Sequence, residues 1–184
     1  GFSRVLQMCI RNGYRAGSRG YDGLMVIRPN GKLYIHQGLG NLGTHSIMDT
    51  ARPAAGILNL NWDQVELVWG DSSRGMPRSS VQAGSQTTHA HSRANHAAGM
   101  DARAKVLEVA ARTLGGSPSD YDMDSGRVFR RAGGASMTFA QVAERAIELG
   151  GKYDGHELPD NIHATTVPAA NMLAGQGLMG VARD

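Results

Sequence analysis

Two stretches rich in glycine and hydroxyl side chains have the residue types suited to holding an anionic ligand. Gly38, Gly40 and Gly43 fall at the spacing Gly-x-Gly-x-x-Gly, after a β-prone run and before a helical pattern. In that context glycines let the backbone approach phosphate oxygens at a helix start. Gly84-Ser85-Gln86-Thr87-Thr88 opens a long alanine-rich pattern and again sets small polar residues where the free N–H groups of a first helical turn point outward. A nicotinamide-type dinucleotide fold is one reading of the first motif. Against it, the first acidic residue after the following strand, Asp71, stands roughly 30 residues on rather than about 20. A purely structural turn and a site for another phosphate-bearing or pterin ligand are the other readings. If one extended ligand bridges both loops, residues 40–45 and 84–88 must approach each other within about 10 to 15 Å, with Asn41 and Gln86 facing the same cleft.

The remaining reactive side chains form no catalytic set. His89 and His91, with His96 beyond, invite a metal reading. Residues two apart on a helix point about 200° apart, however, so the first two cannot share an ion and read as polar helix positions. Asp120, Asp122 and Asp124 have a superficial likeness to a calcium loop, but Ser125 and Arg131 occupy the positions that need glycine and glutamate. Cys9 is the only cysteine, which excludes an internal disulfide framework and argues against a Cys-based zinc or iron–sulfur site in this chain. There is no Gly-x-Ser-x-Gly elbow for a serine nucleophile. No catalytic residue and no metal ligand is assigned.

The elements that must position the two loops follow from the pattern. Two β-prone runs from Tyr21 to His36 flank Pro29-Asn30-Gly31 and predict an antiparallel hairpin. Thr44 is the expected N-cap of a helix carrying Ile47, Met48, Ala51, Ala54, Ala55 and Leu58, with Pro53 either kinking it or marking its true first turn. The run 64–69 alternates as a half-buried strand, and residues 71–86 form a long loop of the kind kept for function. Residues 87–114 predict the longest helix, whose small alanine face permits close packing. The pairs Asp101 with Lys105 and Glu108 with Arg112 read as a solvated stripe on it. A short hairpin around Ser125-Gly126 and a helix opened by a Thr138 to Gln141 capping box and ended by Gly150-Gly151 come next. From Lys152 onward an extended or loop character is expected. Adjacent hairpins with single interposed helices favour α+β, with an antiparallel or mixed sheet and packed helices.

The bulk numbers set limits. With 184 residues, 41% hydrophobic and 19% charged, the chain fits one domain, 1–184, able to bury a core. The formal charge of +3 comes from 19 basic residues dispersed among 16 acidic ones, without the basic stripe a nucleic-acid partner needs. No run of about 18 apolar residues could span a bilayer, and a cytoplasmic location is expected. The 25 glycines suggest loops that need positive φ or a close ligand approach. The start without Met and the end on an apolar stretch read as cut from a longer chain.

The order of pieces, Gly40-Asn41-Leu42-Gly43-Thr44-His45, a helix, Val65 to Asp71, a serine-rich loop, Gly84 to Thr88 and an alanine-rich helix, resembles the second half of the molybdopterin-binding region of molybdenum hydroxylases, the xanthine dehydrogenase and aldehyde oxidase family. Residues 114–122 and 137–143 are similar to that family too. In it a Gly-Gln-Gly-x-His-Thr-like loop and a Gly-Ser-Arg-Ser/Thr-like loop hold the pterin. The resemblance therefore implies cofactor contacts from Gly40, Asn41, Gly43, Thr44, His45, Gly84, Ser85, Gln86 and Thr87. Asn41 stands where the family commonly has Gln, and Gln86 where it commonly has Arg, so the contacts are displaced ones. The family's Gly-Phe-Gly-Gly-Lys-like loop and its catalytic glutamate are not in this sequence. The resemblance thus implies a cofactor cradle belonging to a larger subunit that hydroxylates an aldehyde, purine or N-heterocycle with water-derived oxygen. Iron–sulfur centres and optionally a flavin would lie on other domains or subunits. A non-catalytic ligand-binding or structural domain is the rival reading.

Overall fold

The computed structural model describes residues 21–79, 82–83 and 85–184. Strand β1 (Asp22–Ile27) turns through Asn30 and Gly31 into β2 (Leu33–Gln37), the hairpin expected, with Gly31 at φ 80° and its N–H donating to the Arg28 carbonyl at 2.9 Å. Two short helices, α1 (Ser46–Asp49) and α2 (Arg52–Ile57), cross over to β3 (Val65–Trp69), which lies parallel to β2. Pro53 falls at the start of α2, so the proline marks a first turn and the single expected helix is two.

The long helix α3 (Ser92–Leu114) covers one face of the sheet, preceded by one wide turn of π-helix, Thr87–His91. It packs at backbone distance because both partners are small. A Cβ built on Gly23 would lie 2.7 Å from the Ala98 Cβ, and one on Gly180 would lie 2.6 Å from the Ala102 Cβ. Gly99 approaches α2 equally closely, with a Cβ there only 3.1 Å from the Ala54 Cα. Met25 and Ile27 face this side, together with Ala98, Ala102 and Val106. Leu24 and Val26 face the other and pack with Ile162, Ala169 and Leu173. β1 is covered on both faces, which explains its unbroken apolar run.

A second, antiparallel sheet is built from β4 (Tyr121–Asp124), β5 (Arg127–Arg130) and β6 (Ser136–Thr138), with Ser125 and Gly126 both at positive φ in the first turn. Helix α4 (Phe139–Leu149) starts at the expected capping box, where Gln141 N–H donates to Thr138 Oγ1 at 3.2 Å and Thr138 N–H to Gln141 Oε1 at 2.9 Å. The molecule is α+β, with one mixed and one antiparallel sheet.

Two expectations are overturned. The segment after Lys152 contains helix α5 (Val167–Leu173) and strand β7 (Leu178–Arg183), which completes the sheet order β3-β2-β1-β7. β7 shows no polar alternation because its residues 178–181 are buried, and Gly180 within it admits α3. The stripe on α3 is solvated at Arg112 but not at Lys105. Lys105 is 5% exposed and donates to Asp101 Oδ2 at 2.6 Å and to the Met179 carbonyl at 2.9 Å, while Asp101 Oδ2 accepts the Val181 N–H at 3.0 Å. This ion pair closes the outer edge of β7 in place of another strand. Glu108 joins Lys152 at 2.6 Å and Tyr153 Oη at 2.9 Å.

Lys105→Met therefore strands Asp101 beside an unpaired strand edge and lowers unfolding free energy by about 2 to 4 kcal/mol, below the full cost of breaking a buried pair because Asp101 is partly exposed. Arg145→Ala, which removes an exposed pair with Glu148, costs less than about 1 kcal/mol. Urea unfolding of both variants checks the contrast.

Candidate cofactor cleft

The first loop leaves β2 at Gln37 and enters α1 at His45, whose left-handed backbone (φ 55°) makes it the N-cap in place of Thr44. Residues 40–45 are exposed. Asn41 Oδ1 accepts the Gly43 N–H at 3.0 Å, and Gly43 lies at φ 80° with nothing within 4 Å of where a Cβ would stand. The amides of Thr44, His45 and Ser46 donate to no backbone acceptor among the described residues. This is the strand-to-helix loop expected.

A buried polar network fixes this loop against α3. Gln37 Nε2 donates to the Ile47 carbonyl, and its Oε1 accepts from Asn95 Nδ2 at 3.0 Å and from Thr50 Oγ1 at 2.8 Å. The second proton of Asn95 Nδ2 reaches the Thr50 carbonyl at 2.8 Å. Gln37, Thr50 and Asn95 are all buried. Asn95 lies one turn past the π-helical turn that follows Ser85, so the same network sets where the second loop begins relative to the first.

The two loops meet. Leu42, Thr44, Ser46 and Asp49 form one wall of a cleft of about 330 Å³, and Gln82, Ala83, Ser85, Thr87 and Thr88 form the other. Gln82 Nε2 donates across it to the Gly40 carbonyl at 2.6 Å. Five hydroxyls line the space, and Asp49 is the one charged side chain among these lining residues. Of the residues expected to contact a cofactor, Thr44, Ser85 and Thr87 line the cleft, and Gly40 borders it through Gln82. Asn41, Gly43, His45 and Gln86 are not among the lining residues, against the expectation that Asn41 and Gln86 face it. Gly84 and Cys9 lie outside the described residues. Ser46, Asp49 and Gln82 escaped the sequence reading. A helix of four residues has too little dipole to bind an anion, so the first wall offers hydroxyls and only the second offers the start of a long helix.

Behind the cleft, the loop after β3 is pinned to the opposite face of the sheet. The His36 ring faces the Gly75 carbonyl at 2.9 Å through Nδ1, which must carry the proton because the carbonyl only accepts. Arg78 N–H donates to Thr166 Oγ1 at 2.8 Å, and that hydroxyl donates to Asp22 Oδ2 at 2.6 Å. Gly38 admits the loop backbone, since an added Cβ would strike the Pro77 carbonyl oxygen and crowd Ser79. On the α3 side, His91 is the helix position expected, but it is 4% exposed and stacks on Tyr21 at 5.6 Å. Burial lowers the pKa of His36 and of His91 to about 4 each, with Arg28 and Arg74 adding to the effect at His36. Among the described residues no group of three or more His, Cys, Asp or Glu could hold a metal ion, and no helix is long and apolar enough to cross a membrane.

The model of the molybdopterin cofactor-binding domain matches residues 3–177. The chain belongs to that family. Its fold is also that of solved molybdenum hydroxylases. Quinoline 2-oxidoreductase from Pseudomonas putida 86 superposes with a TM-score of 0.54 at 18% identity, over 89% of this chain and 19% of that one. The Cu,Mo-CO dehydrogenase in its carbon monoxide reduced state gives 0.62 at 16% identity, over 98% and 24%. Reconstituted CO dehydrogenase from Oligotropha carboxidovorans gives 0.62 at 16%, over 98% and 23%. The chain thus spans about a fifth to a quarter of the length of these proteins. A comparison with curated proteins finds no match. The resemblance drawn from the glycine and hydroxyl loops is borne out at the level of family and fold.

Both buried histidines are neutral in the folded protein. Their folded pKa lies below the unfolded value near 6.5, so the unfolded chain binds the extra protons. Their contribution to stability is complete above pH 6.5 and is lost as the pH falls from there through about 4. His91→Phe flattens that decline, as thermal unfolding followed between pH 7 and pH 4 will show.

Proposed function

We propose that the cleft between residues 42–49 and 82–88 cradles part of a molybdenum-bound pterin cofactor, within a larger oxidoreductase subunit that hydroxylates an aldehyde, purine or N-heterocycle with oxygen from water. The observation that carries this reading is the meeting of two hydroxyl-rich loops in one cleft, in a chain of the molybdopterin cofactor-binding family. The donor set fits such a group. Thr44, Ser46, Ser85, Thr87 and Thr88 supply neutral O–H donors that match ring oxygens and phosphate, and residues 86–91 start a helix whose N-terminal end favours negative charge. The open side at Gly43 leaves the first loop free of side-chain bulk.

When bound, the molybdenum centre supplies the two-electron redox chemistry. The residues of this chain bind and orient it. Gln37 and Asn95 hold the walls apart at a fixed width, and Gln82 ties the first loop to the second through the Gly40 carbonyl. We assign the binding role to Gly40, Asn41, Gly43, Thr44, His45, Gly84, Ser85, Gln86 and Thr87, with Asn41, His45 and Gln86, whose side chains do not line the cleft, acting by shaping the loop backbone. No residue here is assigned as catalytic base. The rest of the subunit, iron–sulfur centres and optionally a flavin complete the enzyme, which we place in the cytoplasm.

Two outcomes test this. The chain produced alone contains no molybdenum and oxidises no aldehyde or purine, and stoichiometric metal with turnover on either would count against the cradle role. In the complete enzyme, Gly43→Val forces a β-branched residue into positive φ and reduces molybdenum content severalfold, while Arg145→Ala leaves it unchanged. Equal metal occupancy in both purified variants removes the case for the first loop.

A further inference from the structure

Asp49 is at odds with a cleft built only for an anion. It is the last residue of α1, it lines the wall opposite Ser85, Thr87 and Thr88, and none of the described lining residues is Lys, Arg or His. Among the described residues its one ion-pair partner is Arg52, at 3.4 Å, and both side chains are more than half exposed, so the pair is loose enough to yield the carboxylate to a ligand. A phosphate set against this group would be repelled. The anionic part of any occupant therefore belongs at the wall of 85–88, and the part facing Asp49 must donate protons.

We infer that Asp49 is a specificity-determining residue that reads the 2-amino-4-oxopyrimidine edge of its ligand. This inference rests on the cofactor-cleft reading and deepens it. That edge carries a ring N–H and an amino N–H side by side, which match the two oxygens of one carboxylate as a guanidinium fork does. A pterin ring and a guanine base both present it. The cleft of about 330 Å³ lies at the lower end of small-molecule sites, roughly 300 to 1,000 Å³, enough for one bicyclic ring with its attached group and too little for a whole dinucleotide. Polarity within the cleft then orients the ligand: donor edge to α1, acceptor oxygens to the hydroxyls of Thr87 and Thr88.

The test is an amide NMR titration of the full chain with pterin, with lumazine, which has a carbonyl in place of the 2-amino group, and with the pair GMP and IMP, of which the second lacks the 2-amino group. Pterin is expected to shift the amides of both walls and to bind about tenfold more tightly than lumazine, the discrimination a bidentate pair gives. Asp49→Asn is expected to abolish that preference while leaving the melting temperature unchanged. A preference confined to GMP over IMP assigns the edge to a guanine nucleotide rather than to the pterin ring. Shifts at both walls with no preference that depends on Asp49 overturn the assignment alone. No shift with any of the four compounds, in a chain whose amide spectrum is folded, overturns the cleft reading and the assignment together.

Discussion

The arrangement of the cleft depends on one buried amide. Gln37 ends the second strand, and its side chain satisfies a carbonyl of α1, a hydroxyl between α1 and α2, and an amide of α3. Every polar atom of that side chain has a partner, and this decides whether such a group helps or harms. Left with one partner missing, a buried amide costs about 1 to 3 kcal/mol; satisfied, it holds three elements in one geometry. Hydrophobic contacts alone would not do this, because Ala94, Ala98 and Ala102 present a smooth face along which a helix could slide. The amide contacts fix the register of α3 on the sheet, and with it the distance between Thr44 and Thr87.

The sheet is held differently on its two faces. Toward α3 the contact is close, glycine against alanine, with polar groups gathered in the Gln37 cluster, the Lys105 edge pair and His91. Toward the loop of residues 71–79 it is polar, a chain from Arg78 through Thr166 to Asp22, with His36 bound to Gly75 beside it. The long loop leading into the second wall is thereby tied to the C-terminal segment, far away in sequence. Thr166 and Asp22 are 144 positions apart and both fully buried.

Much of the fold was legible because its signals are local. The turn at Asn30-Gly31, the capping box at Thr138 and the Ser125-Gly126 hairpin each rest on two to four residues whose chemistry permits little else. What escaped is non-local. β7 has no alternation, since its neighbours on both faces are supplied by distant elements. Lys105 looks solvated in any helical projection, and only the approach of Met179 and Val181 buries it. The cleft follows the same division. Its hydroxyls stood out by type and spacing at helix starts, whereas Asp49 and Gln82 became visible only once two loops some 40 residues apart were brought face to face.

The glycines divide by what each position requires. Their abundance suggested loops that need positive φ or a close ligand approach, and fourteen of the described glycines do lie at positive φ; where an added Cβ would collide, as at Gly23, Gly38, Gly177 and Gly180, the obstacle is another part of this chain. In the first loop, Gly43 has empty space around it and Gly40 meets only the flexible end of Gln82. The crowded glycines serve helix-on-sheet and loop-on-sheet packing, and the cleft glycines serve the shape of a turn. A cleft formed this way owes its width to the closeness of packing behind it: the nearer α3 lies to β1, the nearer Thr87 comes to Thr44. Substitutions at Gly23 or Ala98, well away from any ligand, thus act on the same dimension as substitutions in the loops themselves.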